Sequence, residues 1–354
     1  MRKTGLVGRL ARRLAFVLGA AALAAWGWHG FQDVRLRRAF VAALEERRGV
    51  VRTDAAAEGG GIGDLRLSLV SYNIWALPLP LPGMERLRRL PAIPGRLAAL
   101  DADVILLQEA FDVRVKEFFA SYFTDYHRGP ELLCREPMWP VGEKDCTGGL
   151  ATLSRLPVVE ERFWVHPTGE APKLDERNGR KGFLLSRLET SLGPVDLVNI
   201  HLYAGRSEED EDHRLLQLRR LKAVLDSAGS AGRPVILAGD LNVVHPGLSA
   251  ADPSRAPSRA YRLLVDSLGF VDTHPRAEDG DLSYDAQVNP YAGVWYNRWE
   301  GRQVFDYVLV RVPEGMRLRV VERRRVMDVD PLSDHYGVLA VLELAWYREG
   351  EPGP

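Results

Sequence analysis

The stretch Val235-Ile236-Leu237-Ala238-Gly239-Asp240-Leu241-Asn242 is a short apolar run that ends on a glycine and two polar residues. A run of this length, closed by a turn residue, reads as a strand buried on both faces, and Asp240 and Asn242, two apart, project the same way from an extended segment. The construction recurs on either side of it. Ser71-Tyr72-Asn73 closes a segment in which Leu65, Leu67 and Leu69 alternate, Gln108 and Glu109 close the run from Val104 to Leu107, and His201 follows Val195 to Ile200. Phe305-Asp306-Tyr307 lies in the run from Val304 to Val310, and Ser333-Asp334-His335 directly precedes Tyr336 to Leu342. An Asp, Asn or His at such a place is ordinarily a turn or cap residue. Six such motifs in order, five reading as the end of an apolar run and the sixth preceding one, predict polar groups converging on one edge of the sheets.

Further strands are expected at 149–152 and 183–188. Helices are expected from Glu208 to Leu225, with Leu215, Leu218, Leu221 and Leu225 on one face, from Ser258, a candidate cap, to Leu268, and, interrupted by proline, from Arg86 to Leu100. Strands interleaved with helices indicate a layered α/β domain. With 354 residues, 46% hydrophobic and 27% charged, the chain has the makings of a large core, which excludes a disordered or fibrous protein. Lys+Arg of 47 against Asp+Glu of 48 leaves a net charge of −1 and no long basic stripe, so a nucleic-acid partner is not expected.

The chain opens with Arg2, Lys3, Arg9, Arg12 and Arg13 before an uncharged, mostly apolar run from Leu14 to Gly30. This pattern is an export or anchor signal, and as a helix the run falls just short of a hydrocarbon core of about 30 Å. Ala22-Leu23-Ala24 offers a cleavage site, whereas Trp26 and Trp28 would anchor an uncleaved helix at the interface. The expected organisation is a signal anchor at 1–31, a helical stalk and Gly-rich linker at 32–63, one catalytic domain at 64–347 and a short tail at 348–354. The domain is then extracytoplasmic and membrane-anchored, or secreted if the segment is cleaved. In such a compartment Cys134 and Cys146, flanking what reads as a surface loop, form either a local disulfide or two unrelated thiols.

Hard oxygen ligands without a cysteine or paired-histidine cluster suit Mg²⁺, Mn²⁺ or a similar divalent ion better than zinc. Glu109 is the candidate direct ligand, with Asn73 as ligand or phosphate contact and Asp334 either near the metal or capping a turn. His335 is the candidate general base, and Asp306 the carboxylate that fixes its tautomer. Tyr291 to Trp299 is unusually aromatic for a loop; Trp295 and Trp299 either contact a lipid surface or pack on the core.

The ordered motifs resemble the endonuclease/exonuclease/phosphatase superfamily, from about Leu65 to about Trp346. Gly148 to Pro157, Arg180-Lys181-Gly182-Phe183, His201-Leu202-Tyr203-Ala204 and Ser283-Tyr284-Asp285 with Asn289 resemble its neutral, Mg²⁺-dependent sphingomyelinase branch. The resemblance implies a four-layer sandwich, two mixed β-sheets packed face to face with helices on both outer faces. It also implies that Asp240 and Asn242 position the nucleophile and stabilise the phosphate, that His201 contacts the phosphate or assists the leaving group, and that Lys181 balances phosphate charge. The implied reaction is hydrolysis of sphingomyelin to ceramide and phosphocholine, on a phospholipid or sphingolipid at a membrane surface. An exported nuclease, an inositol-phosphate phosphatase and a non-enzymatic binding module are the alternatives on the same scaffold. One departure is Val304, where some relatives carry an arginine.

Overall fold

The structure, a computed structural model, describes residues 30, 32–47, 64–78, 81–138, 142–167, 173–247, 258–274, 281–295, 298 and 301–347. In chain order the strands are β1 (Asp64–Asn73), β2 (Val104–Gln108), β3 (His127–Arg128), β4 (Arg135–Met138), β5 (Gly142–Asp145), β6 (Ala151–Ser154), β7 (Val158–Val165) and β8 (Gly182–Leu188). They continue with β9 (Val195–His201), β10 (Val235–Asp240), β11 (Val271–Asp272), β12 (Tyr284–Asp285), β13 (Arg302–Gln303), β14 (Asp306–Arg311), β15 (Met316–Val326) and β16 (Gly337–Trp346). The flanking helices are α1 (32–47), α2 (Arg86–Ala98), α3 (Val113–Tyr122), α4 (Leu174–Gly179), α5 (Glu208–Ser227) and α6 (Arg259–Arg262).

Among the described residues, one six-stranded sheet runs β15-β16-β1-β2-β6-β3 and the other β11-β14-β10-β9-β8-β7. In each sheet one central pair is parallel, β1 with β2 and β9 with β10, and both are flanked by antiparallel neighbours. Alternation along the strands decides the layering. Leu67 and Leu69 of β1, Val104 and Leu106 of β2, Leu197 of β9, Ile236 and Ala238 of β10, and Val308 of β14 fill the space between the sheets. Their alternates face outward: Val70, Tyr72, Ile105 and Leu107 pack with Leu90 and Leu97 of α2 and Val115 and Phe119 of α3. On the other side Val198, Ile200, Leu237 and Leu309 pack with Leu218, Leu221 and Leu225 of α5. Both faces of each central strand are covered, which is why these strands read as continuous apolar runs. The result is the expected four-layer sandwich of two mixed sheets with helices outside.

The same alternation positions the site. On β1 the inner face reads Leu65, Leu67, Leu69, Ser71, Asn73, and on β10 it reads Ile236, Ala238, Asp240, so each inner face turns from apolar to polar at one end of the sandwich. β14 and β16 run antiparallel to β10 and β1, so they begin where those strands end, and their first residues meet the same edge. Asp306 therefore opens β14 rather than ending a strand. Gly239 is required here because a Cβ would strike the carbonyl oxygen of Ile200 on β9.

Several expectations are corrected. β7 and β15 escaped the sequence reading because charge interrupts both, Glu160-Glu161-Arg162 in the middle of β7 and arginines along β15; β15, with Arg317 and Arg319 exposed, is an edge strand that charge protects from pairing. The stretch between the cysteines is the β4–β5 hairpin and not an irregular loop. Beyond Ser258, which caps α6 through Tyr261 N–H, the helix widens into a π turn over Leu263–Ser267. The helix expected as a stalk lies against the domain: Leu36 and Phe40 are buried, Phe40 stacks on Phe118 of α3, and Asp33 pairs with Arg114. The anchor expected at 1–31 and the tail at 348–354 fall essentially outside the described residues, and among the described residues no helix is long and apolar enough to cross a membrane.

Candidate active site

Six residues converge where the inner faces turn polar. Asn73 Nδ2 donates to Glu109 Oε1 (3.2 Å) and to Asp240 Oδ2 (3.1 Å), so the end of β1 bridges the residue after β2 to the end of β10 in the opposite sheet. On β10 Asp240 stands in register between His201 of β9 and Asp306 of β14. His201 Nε2 lies 3.3 Å from Asp240 Oδ2, and His335 Nε2 lies 3.8 Å from the same oxygen. His335 Nδ1 and Asp306 Oδ2 are hydrogen-bonded at 2.8 Å. Just behind, Gln108 Nε2 donates to Asn199 Oδ1 (2.8 Å) across the two sheets, and Asn199 Nδ2 donates to the Leu107 and Ala151 carbonyls. This buried bridge ties the sheets together at the floor of the site.

Glu109 reaches the site by breaking the alternation. Extended backbone would send it outward with Ile105 and Leu107; a left-handed φ of 56° turns it back toward Asn73. Asn242 also has a left-handed φ, 49°; its N–H donates to Asp240 Oδ1 (3.0 Å) and its Nδ2 to the Leu202 carbonyl (3.1 Å). Non-glycine residues in this region are locally strained, and such strain clusters at functional sites.

Four carboxylates, Glu109, Asp240, Asp306 and Asp334, share this edge of the sandwich. Burial, opposed by His335 and Lys181 but reinforced by Asp306, pushes Asp240 up to about 7. Burial, with Glu109 adding to it, pushes Asp334 to about 6, and burial also raises Glu109. Burial alone would lower His335, but Asp306, Asp240 and Asp334 around it outweigh that and hold its pKa well above the ordinary value. Burial, helped by Lys181 and His335, keeps His201 neutral. Lys181 bonds Glu176 Oε1 at 2.7 Å, and burial, which would lower its pKa, is overcome by Glu176 and Glu109. An edge this rich in carboxylates is short of positive charge, which is what a divalent cation supplies, and Asp306 Oδ1 is buried without a hydrogen-bond partner.

Among the described residues Asp240, Asp306 and His335 have donor atoms within 4.8 Å of one another. Glu109, the expected ligand, is outside that trio and is joined to it through Asn73 Nδ2, while Asp334 Oδ1 accepts from Ser333 Oγ (3.1 Å). Asn73 Oδ1 accepts from Trp75 N–H (3.1 Å), which turns the amide nitrogen inward; that suits a phosphate contact better than a metal ligand. Among the aromatics, Tyr291 is buried and Trp295 is 70% exposed, while Trp299 lies outside the described residues. Cys134 and Cys146 are bridged, with Cα atoms 5.5 Å apart.

Sequence reading missed the supporting residues. Glu176, which holds Lys181 and accepts from Ala204 N–H, sits in a six-residue helix with no periodic signal. Fully buried Arg89 donates to the carbonyls of Met84, Ile74, Trp75 and Leu332, stitching the segments that follow Asn73 and precede Asp334. Its one signal was an arginine placed between Leu87 and Leu90 of an amphipathic helix.

The model of the Endonuclease/Exonuclease/phosphatase family matches residues 70–335. An inositol phosphosphingolipids phospholipase C of Schizosaccharomyces pombe is 24% identical over 318 residues, which are 78% of this chain and 68% of that protein. Sphingomyelinase C from Streptomyces griseocarneus superposes with a TM-score of 0.57 at 24% identity over 78% of this chain and 99% of that one. A double mutant of beta toxin from Staphylococcus aureus with bound magnesium ions gives 0.56 at 22% identity, over 78% and 99%.

Proposed function

Because this chain belongs to the endonuclease/exonuclease/phosphatase family, we propose that it is a divalent-metal phosphodiesterase of the phospholipase C type that hydrolyses sphingomyelin to ceramide and phosphocholine. That it is a phosphodiester hydrolase follows from the family and from its phospholipase and sphingomyelinase relatives. The observation that carries the rest is the convergence of Asn73, Glu109, Asp240, Asp306 and His335 on one sandwich edge, with the His335–Asp306 pair already made.

Each residue takes one task. Asp306 holds Nδ1 of His335, leaving Nε2 to take the proton from an attacking water; Asp240, 3.8 Å from Nε2, orients that water, and Asn242 fixes Asp240 through its N–H. The inward amide of Asn73 and the neutral imidazole of His201 hydrogen-bond phosphoryl or leaving oxygens, and Lys181 balances their charge. Glu109 is the residue that would hold Mg²⁺ or Mn²⁺, with Asp334, whose pKa Glu109 raises, as the second candidate. When bound, the cation neutralises charge on the phosphoryl oxygens and on the carboxylates that otherwise keep a proton on His335. The exposed Trp295 would bring the site to a lipid surface, and the N-terminal apolar run would hold the domain on the outer side of a membrane.

The test is a substrate panel. Sphingomyelin vesicles with Mg²⁺ should release phosphocholine, and plasmid DNA and soluble inositol phosphates should be cleaved far more slowly. Robust DNA cleavage without phosphocholine release would overturn the substrate class.

A further inference from the structure

The residues that hold the acid–base pair in place come from a segment that chemistry alone would not single out. Ser283, fully buried, precedes β12. Its Oγ accepts two backbone N–H bonds, from Phe305 (2.9 Å) and from Asp306 (3.0 Å), at the point where β14 begins. Its carbonyl accepts from Tyr336 N–H (2.7 Å), the residue after His335, and Tyr284 forms an isolated antiparallel bridge with His335. Six residues on, Asn289 Nδ2 donates to the carbonyls of Ser333 (2.9 Å) and Asp334 (3.1 Å). Asp306 opens β14 of one sheet, whereas His335 stands two residues before β16 of the other and belongs to no ladder beyond its isolated bridge with Tyr284. Nothing in either sheet's ladder therefore sets the 2.8 Å contact between His335 Nδ1 and Asp306 Oδ2.

We propose that Ser283 is a positioning residue that sets the distance between Asp306 and His335 by bonding both backbones at once, with Asn289 holding the His335 side. The inference rests on the reading of Asp306 and His335 as the acid–base pair. A hydroxyl is suited to this place because one oxygen can accept both N–H groups, and the first residue of β14 has no hydrogen-bonded strand partner on that side to take them. Removing the hydroxyl leaves the peptide at Asp306 free to shift while the apolar packing of β14 is untouched. Displacements of about 1 Å at a reacting group cost about 10²-fold in rate.

The experiment compares Ser283→Ala, Ser283→Thr and Ser283→Cys in the full chain, with Mg²⁺ and the soluble diester bis(4-nitrophenyl) phosphate, beside His335→Ala and the double variant. Ser283→Ala should lower kcat by about 10²-fold at nearly unchanged KM. Thr, which keeps the hydroxyl, should restore kcat to within a few-fold of the parent, and Cys, a weak acceptor, should not. In the His335→Ala background Ser283→Ala should cost almost nothing further, because it acts through the pair. A Ser283→Ala protein with parental kcat, or an undiminished loss in the His335→Ala background, overturns the clamp. If Ser283→Ala does not fold, equal kcat in the Thr and Cys variants overturns it instead. Retained turnover in His335→Ala would sink the acid–base reading itself, a separate failure.

Discussion

Two buried aspartates of the same sheet, at its opposite ends, are treated in opposite ways. Asp196 near the start of β9 is fully buried and is matched: Arg187 Nε bonds its Oδ1 at 2.8 Å, Ser230 Oγ bonds Oδ2 at 2.6 Å, and Arg233 Nε lies 3.2 Å away. Although burial would raise it, Arg187 and Ser230 hold its pKa below the ordinary value. Asp240 at the end of neighbouring β10 is equally buried and has no arginine; its neighbours are Asn73, two histidines and another aspartate, and it is raised to about 7. Identical residue type and burial thus give a satisfied structural carboxylate at one pole and an underpaired one at the other. A fold bears such an imbalance where a ligand will complete it.

The contrast is sharpest in activity. His335→Ala and Glu109→Gln should each lower turnover by about 10³-fold or more. Glu109→Gln keeps the side chain's shape and should leave circular dichroism and the unfolding transition close to parental, whereas His335→Ala also removes a buried ring packed on Tyr284 and Phe305 and should lower the midpoint modestly. Turnover within tenfold of the parent in Glu109→Gln, or full activity in excess chelator, would remove the metal from Glu109.

Stability should split the two poles next. Asp196→Ala strips the carboxylate from Ser230, Arg233 and Arg187, which keeps Glu160, and should cost about 2 kcal/mol by chemical denaturation, with activity per folded molecule unchanged. Asp240→Asn should cost the metal-free fold nothing and abolish activity. The pH dependence follows with its sign. A carboxyl whose folded pKa is raised favours folding at low pH, and that contribution is lost as pH rises through the folded value. With Asp334 at about 6 and Asp240 at about 7, chelator-treated protein should lose stability from about pH 4 up to about 7, and raised His335 extends the loss higher. Mg²⁺ should stabilise most above pH 7. A thermal midpoint that rises over this range in chelator would contradict the imbalance.

The smallest effect belongs to the surface. Trp295→Ala, at a 70% exposed position, should lower hydrolysis of sphingomyelin vesicles by a few-fold and leave a soluble short-chain analogue unaffected. Equal loss on both substrates would place the indole in the reaction rather than at a membrane.

Much of the fold was legible because burial is written locally. The runs from Val104, Val195 and Val235 are apolar on both faces since both faces are covered, and period-two alternation carried Asn73, His201 and Asp240 onto the inner face without any knowledge of their neighbours. The charged strands β7 and β15 and the docking of α1 were not legible, because an edge strand or a half-buried helix face has no run that burial alone dictates. Leu36 and Phe40 look like ordinary residues of a polar helix until Phe118 is placed against them.

By itself the sequence determined a layered α/β domain, the runs that end at one edge and the residue types that arrive there, and its resemblance to a family supplied the two-sheet form. Only the tertiary structure decided how those residues meet: the left-handed turn that brings Glu109 inward, the amide of Asn73 facing the carboxylates, and the clamp of Ser283 between two sheets. The physical reason is range. Apolar burial is a property of each strand's own pattern, whereas a 3 Å polar contact depends on where distant chain ends stop, and nothing within a single segment records that.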